Sequence, residues 1–226
     1  MKKRVLQLLA IFAVVMLCFL PGNSAKASEE EVAEMTIFSD GSGGTLGVGT
    51  HSFLYFVNIS GHNITVLGNT IEPGKGITVG TFGNKSDGLG IYINLEAYDI
   101  EHNDGYASRV SVSMNLTQSQ LNSVNSVMES NNKWTLTKNC SWFATQAWNK
   151  VCPSSKKLSP GLIPTPATLS KNIKKISGYA VKKSVSKAYV GSDLGKVFRH
   201  KTNGQNAPVS GTGGSSSSSS SSIFGS

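Results

Sequence analysis

The chain has 226 residues and a formal net charge of +8, with 38% apolar and 15% charged residues. Its one long apolar run, residues 6–20, is shorter than the roughly 20 residues that span a bilayer, and no second run of that kind follows. This pattern excludes a multi-span membrane protein. The length beyond the run suffices for one well-buried domain.

Residues 1–27 are expected to form a secretory signal peptide. The segment "MKKRV" is basic, the apolar run follows it, and "PGNSAKA" ends in a small-x-small cleavage pattern with Ala25 and Ala27. We therefore expect a secreted protein, extracellular or in the cell envelope, whose mature chain starts near Ser28.

Charge is distributed unevenly along the remaining chain. Residues 28–152 carry six basic and twelve acidic side chains, whereas residues 153–226 carry eleven basic side chains and one acidic one. A basic C-terminal part favours contact with anionic polymers or lipid surfaces, and a solvated lysine-rich face is the equally weighted alternative. No nucleic-acid partner is expected. The lysines expected to contact an anionic polymer are Lys171, Lys174, Lys175, Lys182, Lys183 and Lys187.

The first half of the chain predicts a small antiparallel sheet. After a short acidic linker, residues 28–34, a glycine-rich segment leads into "THSFLYFVNIS", which is apolar on both faces like a buried strand. The segments "ITVLGNTIE" and "ITVGTF" continue a meander with turns at "GHN" and "PGKG". Two further strands are predicted at "GIYINLEAY" and "SRVSVSMNL".

A first helix is indicated by its capping residues. Thr117 and Gln120 have the spacing of a capping box, in which each side chain bonds the backbone of the other. Leu121, Val124 and Met128 then recur at helical spacing and predict one buried stripe.

Two more helices follow. The second starts at Cys140, carries apolar residues at helical spacing and ends before Pro153. The third has Thr165 as its N-cap and Pro166 at its first helical position.

These elements predict one α+β domain over residues 35–190, with a small antiparallel sheet packed with helices. Residues 191–226 are rich in glycine and serine and include a run of serines at 215–222. Such a composition buries nothing, so we expect a disordered tail.

Cys140 and Cys152 are the two cysteines beyond the leader, and secretion favours a disulfide between them. If both lie on one helix they are about 18 Å apart, whereas a disulfide needs α-carbons within about 7 Å. We therefore expect free thiols unless the helix breaks before Cys152. No closely spaced pair of cysteines or histidines suggests zinc, so no metal and no other cofactor is expected.

Catalysis is the third interpretation of Cys140. A thiol in the first turn of a helix meets the positive end of the helix dipole and unpaired N–H groups, which favour the thiolate. A thiolate nucleophile needs a histidine within hydrogen-bond reach. His51 stands at the start of an apolar, buried strand, where solvation does not explain an imidazole. The alternative is a structural histidine at a strand end.

The two segments "THSFLYFVNIS" and "NCSWFATQAWN" resemble the circularly permuted papain-like cysteine hydrolases. That group includes bacterial cell-wall-peptidase relatives and lecithin–retinol acyltransferase-like proteins. Ordinary papain-like enzymes have the cysteine helix first and the histidine strand later, whereas permuted members have the order found here. The resemblance covers residues 48–152.

The resemblance implies a role for each matching residue. Cys140 would be the nucleophile and His51 the general base and acid, with the Cys140 backbone N–H contributing to an oxyanion hole. The polar residue that orients the imidazole would lie on the strand after the histidine strand. Asn63 and Thr65 are preferred for this role over His62 and Glu72, which lie in the same segment.

The function expected from the resemblance is a secreted cysteine hydrolase of the amidase or peptidase type. It would act on an amide or ester bond of a peptide or acyl substrate, such as cell-envelope peptides. Two alternatives stay open: a catalytically inactive envelope-binding module that uses the C-terminal lysines, and a lipid acyltransferase that uses the same cysteine.

Overall fold

The structure is a computed structural model that describes residues 29–44, 47–83 and 90–188, together with two short strands further along the chain. The strands are β1 (Glu31–Asp40), β2 (His51–Asn58), β3 (Ile64–Val66), β4 (Asn69–Ile71), β5 (Gly76–Phe82), β6 (Gly90–Ile93), β7 (Val110–Thr117), β8 (Ala180–Val181), β9 (Lys196–Arg199) and β10 (Gly211–Thr212). The helices are α1 (Leu95–His102), α2 (Gln118–Ser130), α3 (Cys140–Val151) and α4 (Pro166–Ile173), with a 3-10 turn at Ser154–Lys156.

Eight strands form one antiparallel sheet in the order β10-β9-β6-β5-β2-β1-β7-β8, and β3 and β4 form a separate hairpin. The central strands β1 and β2 pair from Ala33 opposite Asn58 to Asp40 opposite His51. An antiparallel sheet packed with helices is the α+β class that the sequence predicts, although this sheet has more strands than expected.

Helices and loops cover both faces of the sheet. Alternate residues of β2 point to opposite sides, so Leu54 and Phe56 join one core with α2, α3 and α4, whereas Phe53 and Tyr55 join a second core with α1. Each such fully buried side chain stabilises the fold by about 1.5–3 kcal/mol relative to an exposed position. Every residue of β2 is buried, which confirms the prediction of a strand apolar on both faces.

The predicted start of α2 is confirmed. The Thr117 hydroxyl accepts a hydrogen bond from the Gln120 N–H, and the Gln120 side chain accepts one from the Thr117 N–H. The stripe of Leu121, Val124 and Met128 is fully buried against the sheet. The capping box therefore fixes where the chain leaves β7 and turns into the helix.

The predicted limits of α3 and the predicted start of α4 are confirmed as well. α3 begins at Cys140, and Pro153 follows its C-cap. In α4 the Thr165 hydroxyl accepts from the Thr168 N–H at 3.1 Å, and Pro166 occupies the first turn.

Two segments differ from the sequence prediction. β1 was not predicted, and it begins at Glu31, so most of the expected acidic linker belongs to the sheet. The segment "GIYINLEAY" is not a single strand, because β6 ends at Ile93 and α1 begins at Leu95. Asn94 between them has a φ of 61°, and its side chain accepts a hydrogen bond from the Thr78 N–H at 3.0 Å. This left-handed residue turns the chain from strand into helix.

The segment "ITVLGNTIE" is a hairpin rather than one strand. Leu67 and Gly68 both have positive φ, 48° and 77°, as a tight turn of the type I′ family requires at its two central positions. The hairpin leaves the main sheet and bonds to α2, where the Asn125 side chain contacts the Leu67 N–H and the Thr65 carbonyl. The strand that pairs with β2 on the side away from β1 is therefore β5.

Some expectations fall outside the described residues. These are the signal peptide at residues 1–27 and most of the tail at 191–226, in which β9 and β10 are the described parts. No helix among the described residues has the length and apolarity to cross a membrane.

Candidate functional site

Cys140 is the first residue of α3, and Asn139 before it holds the helix end in place. The Asn139 side-chain oxygen accepts from the N–H groups of Ser141 and Trp142 at 3.1 and 3.3 Å. Its amide nitrogen donates to the carbonyl of Pro164 at 2.7 Å and also to that of Leu136. One capping side chain thus satisfies two N–H groups of the helix and ties together the loops on either side of it.

His51 is the first residue of β2 and lies within a cage of aromatic rings. Its ring centroid is 4.4 Å from that of Phe82, 5.3 Å from that of Tyr106 and 5.9 Å from that of Phe53. The side chains of His51 and Cys140 are both fully buried, and they are close enough for each to shift the pKa of the other. The structure therefore brings together the cysteine and histidine that the sequence singles out.

Glu96, in the first turn of α1, completes the arrangement. Its carboxylate lies 3.0 Å from Nε2 of His51 and accepts the Thr78 hydroxyl proton at 2.8 Å. The Thr78 hydroxyl in turn accepts from the Ala97 N–H at 3.3 Å. With Nε2 directed at Glu96, Nδ1 is the ring nitrogen left for Cys140. The order Cys140–His51–Glu96 is that of a nucleophile, a base and an orienting carboxylate.

The electrostatics of the pair favour charge separation. Burial lowers the pKa of His51, but the charge and hydrogen bond of Cys140 and those of Glu96 outweigh it, so the pKa rises to about 9. Burial raises the pKa of Cys140, whereas the charge and hydrogen bond of His51, the Ser52 backbone N–H and the Ser141 hydroxyl lower it, and the net shift is downward. These opposite shifts favour a thiolate beside an imidazolium.

Gly80 on β5 leaves the space in which His51 and Glu96 meet. A β-carbon at this position would overlap the Glu96 carboxylate and lie 2.8 Å from Nε2 of His51. Contacts this short do not occur in proteins, so any larger residue at position 80 would separate the carboxylate from the imidazole. The glycine is therefore part of the geometry of the site.

The residues expected to orient the imidazole lie elsewhere. Asn63 and Thr65 are both exposed, on or just before the β3–β4 hairpin, and His62 and Glu72 are exposed in turns beside it. The expectation assumed that the next strand in the chain is also the next in the sheet. Since β3 leaves the main sheet, the side chain found beside the imidazole is Glu96.

Sequence reasoning missed Glu96 because it placed a continuous strand across residues 90–98. One local signal points to it: Asn94 precedes an acidic residue and Ala97, a combination that fits the first turn of a helix. No local pattern shows that folding brings Glu96 into contact with His51, which lies 45 positions earlier in the chain.

Cys152 is a second free thiol, at the C-cap of α3. The helix does not break before Cys152, so the expectation of two unbridged thiols is confirmed. Within the described ranges no cluster of three or more histidine, cysteine or acidic side chains could hold a metal ion.

One of the lysines expected to contact an anionic polymer is already engaged. The Lys183 ammonium donates to the Glu34 carboxylate at 2.6 Å and to the hydroxyls of Thr36 and Ser113 at 3.2 and 2.7 Å. An ammonium group has three protons to donate, so Lys183 holds β1 and β7 together.

Comparisons of the chain with protein-family models, with curated proteins and with solved structures gave no match. The chemistry of the site therefore rests on its own geometry.

Proposed function

We propose that this protein is a thiol-dependent hydrolase of the amidase or peptidase type, in which Cys140 is the nucleophile, His51 the general base and acid, and Glu96 the orienting carboxylate. The observation that carries the proposal is the buried pairing of Cys140 with His51, whose imidazole is hydrogen-bonded to the Glu96 carboxylate at 3.0 Å. A structural histidine at a strand end needs neither a helix-start thiol nor a buried carboxylate.

The proposed reaction begins with transfer of the Cys140 proton to Nδ1 of His51. The thiolate attacks the carbonyl carbon of the substrate, and the C=O π electrons move to the oxygen. The N–H of Cys140, which has no acceptor within its own helix, is placed to bond that oxyanion. As the oxygen electrons return, the C–N or C–O bond breaks and the leaving group takes the proton from the imidazolium, which leaves a thioester on Cys140.

Water completes the cycle. His51 accepts a proton from water as its oxygen attacks the thioester carbonyl, and collapse of the second tetrahedral species releases a carboxylic acid and restores the thiol. Throughout, the Glu96 carboxylate keeps Nε2 protonated and stabilises the imidazolium charge. If an alcohol or amine replaces water, the same nucleophile performs acyl transfer, so a lipid acyltransferase remains a variant of this proposal.

The order of the site residues along the chain supports a permuted papain-like arrangement. The histidine strand comes first and the nucleophile helix follows the carboxylate-bearing helix α1. We propose cell-envelope peptides as the substrate class, on the ground of the signal-like segment at residues 1–27 and the basic C-terminal part.

A catalytically inactive envelope-binding module is the second candidate, and the complete burial of Cys140 is the observation that favours it. A substrate reaches the sulfur only after surrounding side chains move. The inactive module predicts salt-sensitive binding to anionic wall polymer and a Cys140 thiol that reacts only in denaturant.

Iodoacetamide labelling near neutral pH separates these candidates. We expect the native protein to be alkylated at Cys140 faster than at Cys152, as read by intact mass and peptide mapping, and we expect His51→Ala to remove that preference. Cys152 is the matched internal control, since it is a free, buried thiol on the same helix. Equal labelling of the two thiols, or labelling of Cys140 only in denaturant, would contradict the proposed function.

A further inference from the structure

Three fully buried serines on different elements form a chain of hydrogen bonds that starts beside the candidate nucleophile. Ser141 on α3 lies 4.0 Å from Sγ of Cys140, Oγ to Sγ, and its hydroxyl is 3.0 Å from that of Ser52 on β2. Ser52 is 2.8 Å from the hydroxyl of Ser39 on β1. Ser39 donates to the carbonyl of Pro166 in α4 at 2.8 Å. We call Ser39, Ser52 and Ser141 the serine chain.

The Pro166 carbonyl sets the direction of the whole chain. A carbonyl only accepts and a hydroxyl has one proton, so Ser39 uses its proton on Pro166. Ser52 must then donate to Ser39, and Ser141 must donate to Ser52. In this direction the Ser141 oxygen presents only a lone pair to Cys140, which suits a neutral thiol.

A thiolate requires the opposite direction. Sulfur without its proton only accepts, so Ser141 must turn its proton to the sulfur, Ser52 must donate to Ser141, and Ser39 must donate to Ser52. In both directions the three hydroxyls donate three hydrogen bonds. The group that loses a donor is the Pro166 carbonyl, whose second lone pair keeps its place in the α4 backbone ladder.

We infer that the hydrogen bonds of the serine chain reverse their direction with the protonation state of Cys140. Ser141 donates to the thiolate, and Ser39 donates to the Pro166 carbonyl again when the thiol reforms. These are positioning residues, and the inference rests on the proposed role of Cys140 as nucleophile. A serine chain that only ties four elements together would have no reason to end at that sulfur.

The inference predicts opposite effects from the two ends of the serine chain. Ser141→Ala removes the donor to the thiolate, so the pKa of Cys140 should rise by roughly half to one pH unit. In Ser39→Ala, the Ser52 hydroxyl has only Ser141 left as a partner in the serine chain, so Ser52 donates to Ser141. The Ser141 proton is then directed to the sulfur. The pKa of Cys140 should therefore fall, although Ser39 is separated from the sulfur by two other hydroxyls.

The measurement is a pH titration of the Cys140 β-carbon shift in protein labelled with ¹³C-cysteine, which does not require a reagent to reach the buried sulfur. Ser111→Ala is the matched control, because Ser111 is a fully buried serine on β7 whose hydroxyl has no hydrogen-bond partner in the described structure. It should leave the titration unchanged. Urea denaturation of each variant establishes that the fold is intact before its titration is compared.

The outcomes separate this inference from the proposed function. Opposite shifts in Ser39→Ala and Ser141→Ala support the serine chain as described. If the two variants shift the pKa of Cys140 in the same direction or not at all, while that pKa stays low and still depends on His51, the serine-chain inference is wrong and the proposed nucleophile stands. If Cys140 of the wild-type protein has an ordinary pKa that does not change in His51→Ala, both the serine-chain inference and the proposed function are wrong.

Discussion

Cys140 and Cys152 stand at opposite ends of α3, and both thiols are free and buried. Burial raises the pKa of Cys152, and the charges of Lys157 and Lys156 and a backbone hydrogen bond do not offset it. At Cys140 burial acts in the same direction, yet His51, Ser52 and Ser141 outweigh it. The two thiols differ in their partners far more than in their exposure.

The helix itself adds to this difference. Cys140 lies at the N-terminal end, where unpaired N–H groups stabilise negative charge. Cys152 lies past the C-terminal end, where the unpaired carbonyl groups disfavour negative charge. Its sulfur contacts the Asn149 side chain, a neutral group. A thiol therefore becomes a candidate nucleophile when a cation and several hydrogen-bond donors surround it, whereas burial alone has the opposite effect.

The largest effect is expected from His51→Ala. Without the imidazole, Cys140 loses both its general base and the charge that stabilises its thiolate, so it comes to resemble Cys152. Hydrolysis of a p-nitrophenyl ester should fall by about 10²–10⁴-fold. Unchanged turnover in this variant would mean that the hydrolysis does not depend on the Cys–His pair.

The pH profile for hydrolysis of a p-nitroanilide, an amide whose leaving group needs a proton, tests the role of Glu96. Because imidazolium is the proton donor to the leaving group, activity should be lost as the pH rises through about 9, the raised pKa of His51. Glu96→Gln removes a carboxylate that favours the protonated ring, so this alkaline limb should move down by about one pH unit. Glu101→Gln, at an exposed position of the same helix, is the control and should leave the limb in place.

A smaller effect, on stability, is expected from Gly80→Ala. The added methyl group would collide with the Glu96 carboxylate and with Nε2 of His51, so the pair must separate or the backbone must shift. Overpacking of this kind costs about 1–3 kcal/mol of unfolding free energy, measured by urea denaturation. Gly61→Ala is the control, since a β-carbon there meets no atom within 4 Å. Equal losses in the two variants would contradict a role for Gly80 in the site.

The smallest effect belongs to the other end of α3. Cys152→Ser should change ester hydrolysis by less than about twofold, because nothing at Cys152 assists the formation of a thiolate or takes part in proton transfer. A large loss of activity with unchanged stability would show that the second thiol also takes part in the chemistry.

Local signals in the sequence suffice for part of this picture. The capping box at Thr117, the N-terminal position of Cys140 and the apolar strand that opens with His51 are each readable within a few residues, and the structure contains all three. The contact between Cys140 and His51 was expected because a thiolate nucleophile needs a histidine within reach and solvation does not explain an imidazole at the start of a buried strand.

The rest depends on contacts that no local pattern carries. β1 starts within an acidic segment that resembles a linker, and its pairing with β2 on one side and the distant β7 on the other makes it a central strand. Glu96 follows a left-handed Asn94 that converts a strand pattern into a helix. Asn63 and Thr65 were expected beside the imidazole because consecutive strands are usually neighbours in a sheet. In this chain β3 and β4 form a separate hairpin between β2 and β5, so these two residues lie outside the main sheet.

Titration of the two cysteines in one experiment shows directly whether Cys140 ionises more readily than Cys152. In ¹³C-cysteine-labelled protein, with the β-carbon signals assigned through Cys152→Ser, Cys140 should ionise below the ordinary range for a thiol and Cys152 above it. His51→Ala should bring the Cys140 titration up toward that of Cys152. Two thiols that titrate together in the wild-type protein, or a Cys140 that ionises at the higher pH, would show that His51 does not activate Cys140.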